Sequence, residues 1–152
     1  MKIEEIKEKI LKELNERNDI KQITKLEMFI RVPVKYFENC KNVTLDIEVY
    51  AEFIDKYLDE KDEDYLTLKE TIPMNNLIVR LKNLPDNINI ENIEIKTAKN
   101  GNQYYKLKIN NKYLNLFSEN EELIELIKKA FDIQYDRKYK TIKYIIFKIP
   151  LI

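Results

Sequence analysis

The chain has 152 residues, of which 44% are hydrophobic and 36% are charged, a balance that suits one soluble domain with a single core. It contains no histidine, one glycine and one cysteine, Cys40. These counts exclude nucleophilic sites that need histidine, zinc sites of the Cys/His type, and the glycine-rich loops that bind dinucleotides or phosphates.

The overall charge balance hides an asymmetry between the two halves of the chain. Residues 1–75 carry 13 basic and 18 acidic side chains, whereas residues 76–152 carry 14 basic and 9 acidic ones. Such a split is typical either of complementary charge within one domain or of two faces with different partners. We expect a single domain over residues 1–152, and the charge shift near residue 75 is the only sign of a sub-boundary.

Compartment and membrane association follow from the same composition. No apolar run approaches the ~20 residues that a bilayer span requires. The acidic, periodic N-terminal stretch differs from a secretory signal, and a lone cysteine fits a reducing compartment. We therefore expect a cytoplasmic protein without membrane contact. The many Lys, Ile and Asn residues beside four Arg are typical of an AT-rich genome.

The first fifty residues predict one helix and two strands. Ile3, Ile6, Ile10 and Leu14 recur at helical spacing, which predicts an amphipathic N-terminal helix. Apolar residues then alternate with polar ones from 26 to 34 and from 43 to 49, as in half-buried antiparallel strands. Because proline cannot donate to a strand ladder, Pro33 predicts an edge strand or a bulge.

The middle of the chain is less clear. Residues 51–58 fit either a short helix or the tail of the preceding strand, and we favour the helix. The charged run 59–64, DEKDED, predicts a solvated loop. Residues 77–81 predict a further strand.

Turn residues organise the last third of the chain. Asn100-Gly101 predicts a type I′ hairpin, and Asn110-Asn111 predicts a second corner. Ser118 and Glu121 form a capping box, which predicts a helix near 119–131. Residues 141–149 predict a final strand. The sum is an α+β fold with a mainly antiparallel meander sheet of about seven or eight strands.

One short motif raises the possibility of catalysis. Pro85-Asp86 followed by Glu94-Ile95-Lys96 resembles the PD-(D/E)xK nuclease signature, in which two carboxylates bind magnesium and the lysine supports the attacking water. This chain departs from that family because Asp86 lies in a predicted loop and the Lys96 strand enters a hairpin. The nuclease stays a remote alternative, and we expect no catalytic residue, no cofactor and no metal site.

A basic and aromatic face supplies one binding hypothesis. Strand alternation places Tyr104, Lys106 and Lys108 on the same side of the predicted hairpin, with Lys96, Lys99 and Lys112 nearby. Rings that stack on bases, next to lysines that contact phosphates, are typical of single-stranded nucleic-acid binding. The order of elements from 93 to 149 is loosely similar in layout to an OB-type barrel.

An acidic stretch supplies the other and leading hypothesis. Between residues 46 and 64, nine acids stand against two lysines, with aromatic side chains among them. Such a face can occupy the basic nucleic-acid channel of another protein, and small phage or mobile-element inhibitors of host nucleases are similar in this respect. The predicted partner-binding residues are Asp46, Glu48, Tyr50, Glu52, Asp55, Asp59, Glu60 and Asp62.

Overall fold

The computed structural model describes residues 3–39, 41–81, 84, 90–109, 112–116, 121–139 and 141–152. Within them, eight strands and four helices confirm the predicted α+β class. In chain order the elements are α1 (Ile3–Asn15), β1 (Ile20–Pro33), α2 (Tyr36–Asn39), β2 (Asn42–Asp55), β3 (Lys61–Pro73), α3 (Met74–Leu81), β4 (Ile90–Thr97), β5 (Gln103–Ile109), β6 (Lys112–Leu116), α4 (Glu121–Lys128), β7 (Asp132–Asp136) and β8 (Thr141–Pro150).

The strands form two sheets, one of order β3-β2-β1-β8-β7 and one of order β4-β5-β6. The chain divides into two compact units. Unit 1 comprises Met1–Arg31, Lys41–Arg80 and Lys148–Ile152, and unit 2 comprises Val32–Cys40 and Leu81–Phe147. The boundary that we predicted near residue 75 from charge alone stays a prediction.

The core of unit 1 joins an amphipathic helix to the inner face of a sheet. The predicted apolar stripe of α1 is buried, and Ile6, Ile10 and Leu14 have no exposed area. Every second residue of β2 from Val43 to Phe53 is also buried. This agreement between sequence period and burial fixes the face of β2 that points inward.

An ion pair links α1 to the outer strand of this sheet. Lys9 Nζ lies 2.8 Å from Glu70 Oε1. Glu70, on β3, is a buried charged residue, and its register partner is the core residue Leu45. Its carboxylate raises the pKa of Lys9 above the ordinary value, by hydrogen bonding first and by charge second. The Glu70 carboxylate can be buried because the Lys9 ammonium forms an ion pair with it.

Unit 2 has its own core, built from the second sheet, α4 and part of β8. The backbone N–H of Phe131 donates to the carbonyl of Ile146 at 2.7 Å, which ties the end of the α4 segment to β8. The buried apolar residues are Val32, Leu81, Leu107, Leu116, Ile124, Leu126, Ile127, Ala130, Ile142, Ile145 and Phe147.

Three local predictions were wrong. Residues 51–55 continue β2 instead of forming a helix, and residues 61–64 belong to β3 instead of a loop. The charged run forms a strand because its backbone pairs with β2, starting at Ile54↔Lys61. This pairing supplies hydrogen-bond partners to the backbone, and the charged side chains stay in solvent. Residues 77–81, predicted as a strand, lie in α3.

The Asn-Gly hairpin is confirmed, but its turn type is not I′. The N–H of Gly101 donates to the carbonyl of Ala98 at 2.9 Å, and the N–H of Ala98 donates to the carbonyl of Asn102 at 2.8 Å. Gly101 has a φ of 89°, while Asn100 is not among the residues with positive φ. This is a type I turn followed by a left-handed glycine, the usual three-residue hairpin loop.

Proline at the end of β1 also differs from expectation. Pro33 is the last residue of a strand that lies inside its sheet, between β2 and β8, and not at an edge. A terminal position needs no further ladder donor, so the missing N–H is harmless there. Ser118 of the predicted capping box and the corner Asn110-Asn111 lie outside the described residues. In the described part, no helix has the length and apolarity to cross a membrane.

The apolar face of α4 can be tested by substitution. Leu126 is 1% exposed, whereas the neighbouring Glu125 side chain is 62% exposed and paired with Lys128 at 3.0 Å. Leu126→Ala should lower the free energy of unfolding by about 2 to 5 kcal/mol through lost burial and cavity formation. Glu125→Ala should change it by less than about 0.5 kcal/mol. Urea unfolding of both variants measures the difference, and equal small effects would contradict this placement.

Candidate functional sites on the two charged surfaces

The predicted acidic residues fall into two groups in unit 1. Asp46, Glu48, Tyr50 and Glu52 alternate with core residues along β2, so they line its outer face. Cross-strand register brings Lys69, Thr67, Tyr65 and Glu63 of β3 beside them, in that order. The second group surrounds the turn between β2 and β3.

Much of the acidity on the outer face is neutralised within the chain. Lys69 Nζ is 3.8 Å from Asp46 Oδ1, and Lys61 Nζ is 2.9 Å from Glu52 Oε2. At the turn between β2 and β3, Lys21 Nζ of β1 is 2.9 Å from Asp59 Oδ1. Among the described residues, no ion pair involves the remaining predicted acids, which are Glu48, Asp55, Glu60 and Asp62.

The Tyr50 hydroxyl lies between two carboxylates. Its oxygen is 2.5 Å from Glu52 Oε1 and 2.8 Å from Glu63 Oε2. A hydroxyl has one hydrogen, so it can donate to only one of these carboxylates at a time. Both carboxylates, Glu52 foremost, raise the pKa of Tyr50 well above its ordinary value. Conversely, the Tyr50 hydroxyl, followed by the hydrogen bond from Lys61, lowers the pKa of Glu52.

The turn between β2 and β3, residues 56–60, is called the hairpin tip below. The Asp55 carboxylate accepts the backbone N–H groups of Tyr57 and Leu58, both at 2.8 Å. The N–H of Asp59 donates to the Asp55 carbonyl at 3.0 Å, and Asp59 has a φ of 52°. The Asp55 side chain therefore forms an Asx-type turn, so this predicted binding residue has a structural role.

The hairpin tip presents two apolar side chains to solvent. Tyr57 is 73% exposed and Leu58 is 70% exposed. Phe53, which the sequence places among the same acids, is 1% exposed and belongs to the core. Of the aromatic residues in the predicted acidic segment, Tyr57 is therefore the one most available to a partner.

Arg17 binds side chains at the base of the β2–β3 hairpin. Its guanidinium forms two bonds to the Asp19 carboxylate, at 2.7 and 3.0 Å, and one to Asp64 at 2.9 Å. The same group lies 5.2 Å from the centre of the Phe53 ring. The N–H of Lys56 also donates to the Asp19 carbonyl at 2.8 Å. Together these contacts hold the base of the hairpin against the segment between α1 and β1.

The second charged surface lies on the three-stranded sheet of unit 2. The register pairs Tyr104 with Lys96, Lys106 with Glu94, and Lys108 with Tyr113. Cross-strand partners share a face, so the predicted row of Tyr104, Lys106 and Lys108 gains a second ring, Tyr113. We call these residues, with Glu94 and Lys96, the β4–β6 face.

The other predicted basic residues stand apart from this face. Lys99 is exposed in the turn between β4 and β5, and Lys112 is the register partner of Ile109 instead of a residue in the Tyr104 row. Sequence reasoning missed Tyr113, although the two-residue spacing between Ile109 and Lys112 was enough to place it opposite Lys108.

The candidate residues for metal, thiol and nuclease chemistry lie only partly within the described residues. No group of three or more Cys, Asp or Glu side chains there could hold a metal ion. Glu94 and Lys96 of the nuclease-like motif pair with each other at 3.2 Å. Cys40 and Asp86 lie outside the described residues.

No protein family, curated protein or solved structure matches the chain. Its function must therefore be argued from the two surfaces themselves.

The Tyr50 cluster yields a pH prediction. Tyr50→Phe removes the hydrogen bond, so the pKa of Glu52 should rise toward its ordinary value. A lowered carboxyl pKa stabilises the fold fully above that value, and this contribution is lost as pH falls through the folded-state pKa. The stability advantage of wild type over Tyr50→Phe should therefore shrink in acid. Carboxyl NMR titration of Glu52 measures the shift.

The matched control for this prediction is Tyr65→Phe. Its ring centre lies 5.1 Å from that of Tyr50, yet its hydroxyl forms no hydrogen bond to Glu52 in the described structure. That variant should leave the Glu52 titration in place. An unchanged Glu52 pKa in Tyr50→Phe would show that the hydroxyl does not bind this carboxylate.

Proposed function

We propose that the chain is a non-enzymatic binding protein that acts on another protein through the hairpin tip and the acids around it. One observation carries the proposal. Two large apolar side chains, Tyr57 and Leu58, are 73% and 70% exposed on a turn whose backbone is fixed by Asp55. An exposed tyrosine is a typical anchor of a protein interface, and the adjoining Leu58 extends the exposed apolar surface.

The rigidity of the tip favours binding. Ordering a loop or a side chain on association costs free energy, and a turn already held by hydrogen bonds avoids part of that cost. Tyrosine suits this position because its large amphipathic ring has few rotatable bonds. The contacts of Arg17 with Asp64 and Asp19 extend this order to the base of the hairpin.

Charge around the tip defines the chemistry of the partner. Residues 55–64 contain six carboxylates and two lysines, and Glu60 and Asp62 lack an ion pair within the described residues. A complementary partner surface is basic and has an apolar depression that accepts Tyr57 and Leu58. Exposed carboxylates at the rim would chiefly accelerate and orient association.

A nucleic-acid channel on another protein meets these requirements best. Such channels carry dense lysine and arginine, since they bind phosphates. The hairpin would then act as an inhibitor by excluding nucleic acid, as a phage or mobile-element protein does when it blocks a host nuclease. Free nucleic acid should compete with the chain for this partner.

The proposal can be tested by capture from the lysate of the native host, treated with nuclease so that nucleic acid cannot bridge. Tyr57→Ala combined with Leu58→Ala should abolish retention of the partner, because both anchors are removed. Asp59→Lys combined with Glu60→Lys should weaken retention. After the nuclease has been washed away, added single-stranded DNA should release the partner from wild type. Quantitative mass spectrometry of the bound fraction measures all three.

Tyr139→Ala is the matched control, because Tyr139 is also an exposed turn tyrosine, at 67%, but stands beside Lys138. It should retain the partner. If the Tyr57/Leu58 variant captures the same proteins as wild type, the hairpin tip is not the binding site.

The absence of catalysis has its own test. Histidine is missing from the sequence, and the Glu94–Lys96 pair sits on an exposed strand without a metal cluster among the described residues. We therefore expect no magnesium-dependent cleavage of DNA or RNA by the purified protein. A cleavage activity that disappears in Lys96→Ala, with folding intact, would contradict a non-enzymatic role.

A further inference from the structure

The β4–β6 face combines three lysines and two tyrosines on one side of an antiparallel sheet. Tyr113 is 62% exposed on edge strand β6, and Lys96 is exposed on the opposite edge strand, β4. Lys106 and Lys108 lie between them on the central strand. We propose that this face binds single-stranded nucleic acid, independently of the hairpin tip, since all of its residues belong to unit 2.

The ring of Tyr113 is already associated with a cation. Lys106 Nζ lies 4.8 Å from the ring centre. At an exposed site this cation–π contact is weaker than the stacking of a base on the same ring. A lysine stem is flexible, so the ammonium can leave the ring for a phosphate while a base takes its place. One arrangement therefore supplies both the stacking platform and its adjoining charge.

The two tyrosines are too far apart for a single base. Tyr113 stands opposite Lys108, which is four residues from Tyr104, so about 14 Å of strand separates their positions. A nucleic-acid strand lying across the sheet would meet them with different bases. Only an unpaired strand offers free base faces, so this spacing favours single strands over duplex.

One carboxylate lies among these lysines. Glu94 Oε2 is 3.2 Å from Lys96 Nζ, and the Glu94 position pairs with Lys106. The face therefore keeps a net positive charge, and Lys106 is more available to phosphate than Lys96, which is paired with Glu94. This ranking predicts that substitution of Lys106 affects binding more than substitution of Lys96.

Fluorescence anisotropy with a labelled thymidine oligomer of about 12 nucleotides tests the proposal on the full chain. Tyr113→Ala should weaken binding about 5- to 150-fold, the range expected for loss of one stacked base. Tyr113→Phe should restore it, because the ring face remains. With three phosphate contacts, raising salt from 50 to 200 mM should lower affinity roughly 20-fold, and Lys106→Gln should reduce that salt dependence.

Tyr65→Ala serves as the matched control. Tyr65 is 56% exposed on the outer face of an edge strand in unit 1, in acidic surroundings. It should leave oligonucleotide binding unchanged, while circular dichroism confirms that each variant is folded.

Three results would overturn the proposal. The first is no anisotropy change up to about 100 μM protein, a concentration well above useful affinities. The second is equal binding of single strands and duplex without any effect of Tyr113→Ala, which would indicate attraction by charge alone. The third is self-association in sedimentation experiments that Tyr113→Ala removes, without oligonucleotide binding, because a second copy would then occupy the face.

Discussion

The strict alternation of β2 is the constraint on which the rest of unit 1 depends. Its inner side chains from Val43 to Phe53 are buried, and its outer ones from Asn42 to Glu52 are polar. Because the strand is paired on both sides, with β1 and with β3, a shift by one residue would expose the whole inner row. The same alternation puts the acids of β2 on its outer face, and the strand ends at the exposed hairpin tip.

The sequence predicted well wherever a period was long and unbroken. The stripe of α1, the alternation of β1 and β2, and the hairpin at Gly101 are all present as expected. It predicted poorly where local preference and tertiary pairing disagree. Residues 61–64 look like a loop because every side chain is charged, yet pairing with β2 makes them a strand. Backbone pairing depends on a distant partner, and local composition does not reveal it.

The candidate sites show the same division. The sequence identified the acidic segment and the Tyr104 row, since alternation alone places those residues. It gave no means of seeing that Lys61 and Lys69 neutralise part of the acidic face, or that Tyr50 is held between carboxylates. Nor did it separate buried Phe53 from exposed Tyr57. Those distinctions depend on where β2 ends, and the predicted helix over residues 51–58 had obscured that point.

The two surfaces differ in how they are built. The hairpin tip is built from a turn held by Asp55 and from an ion pair between Asp59 and Lys21 of β1, so its contacts lie within unit 1. The β4–β6 face consists of side chains on regular strands, with the Lys106 ammonium over the Tyr113 ring. The proposed ligands differ accordingly: one complementary protein surface for the hairpin tip, and a flexible strand for the β4–β6 face.

The ion pair between Lys9 and the buried Glu70 has a consequence for solubility. β3 is a long strand at the border of its sheet, and such strands tend to recruit strands from other molecules. A strand from another molecule that paired with β3 would bury Glu70 further, and it would pack against a carboxylate that already pairs with Lys9. The inward-pointing charge of Glu70 therefore disfavours edge-to-edge aggregation through β3.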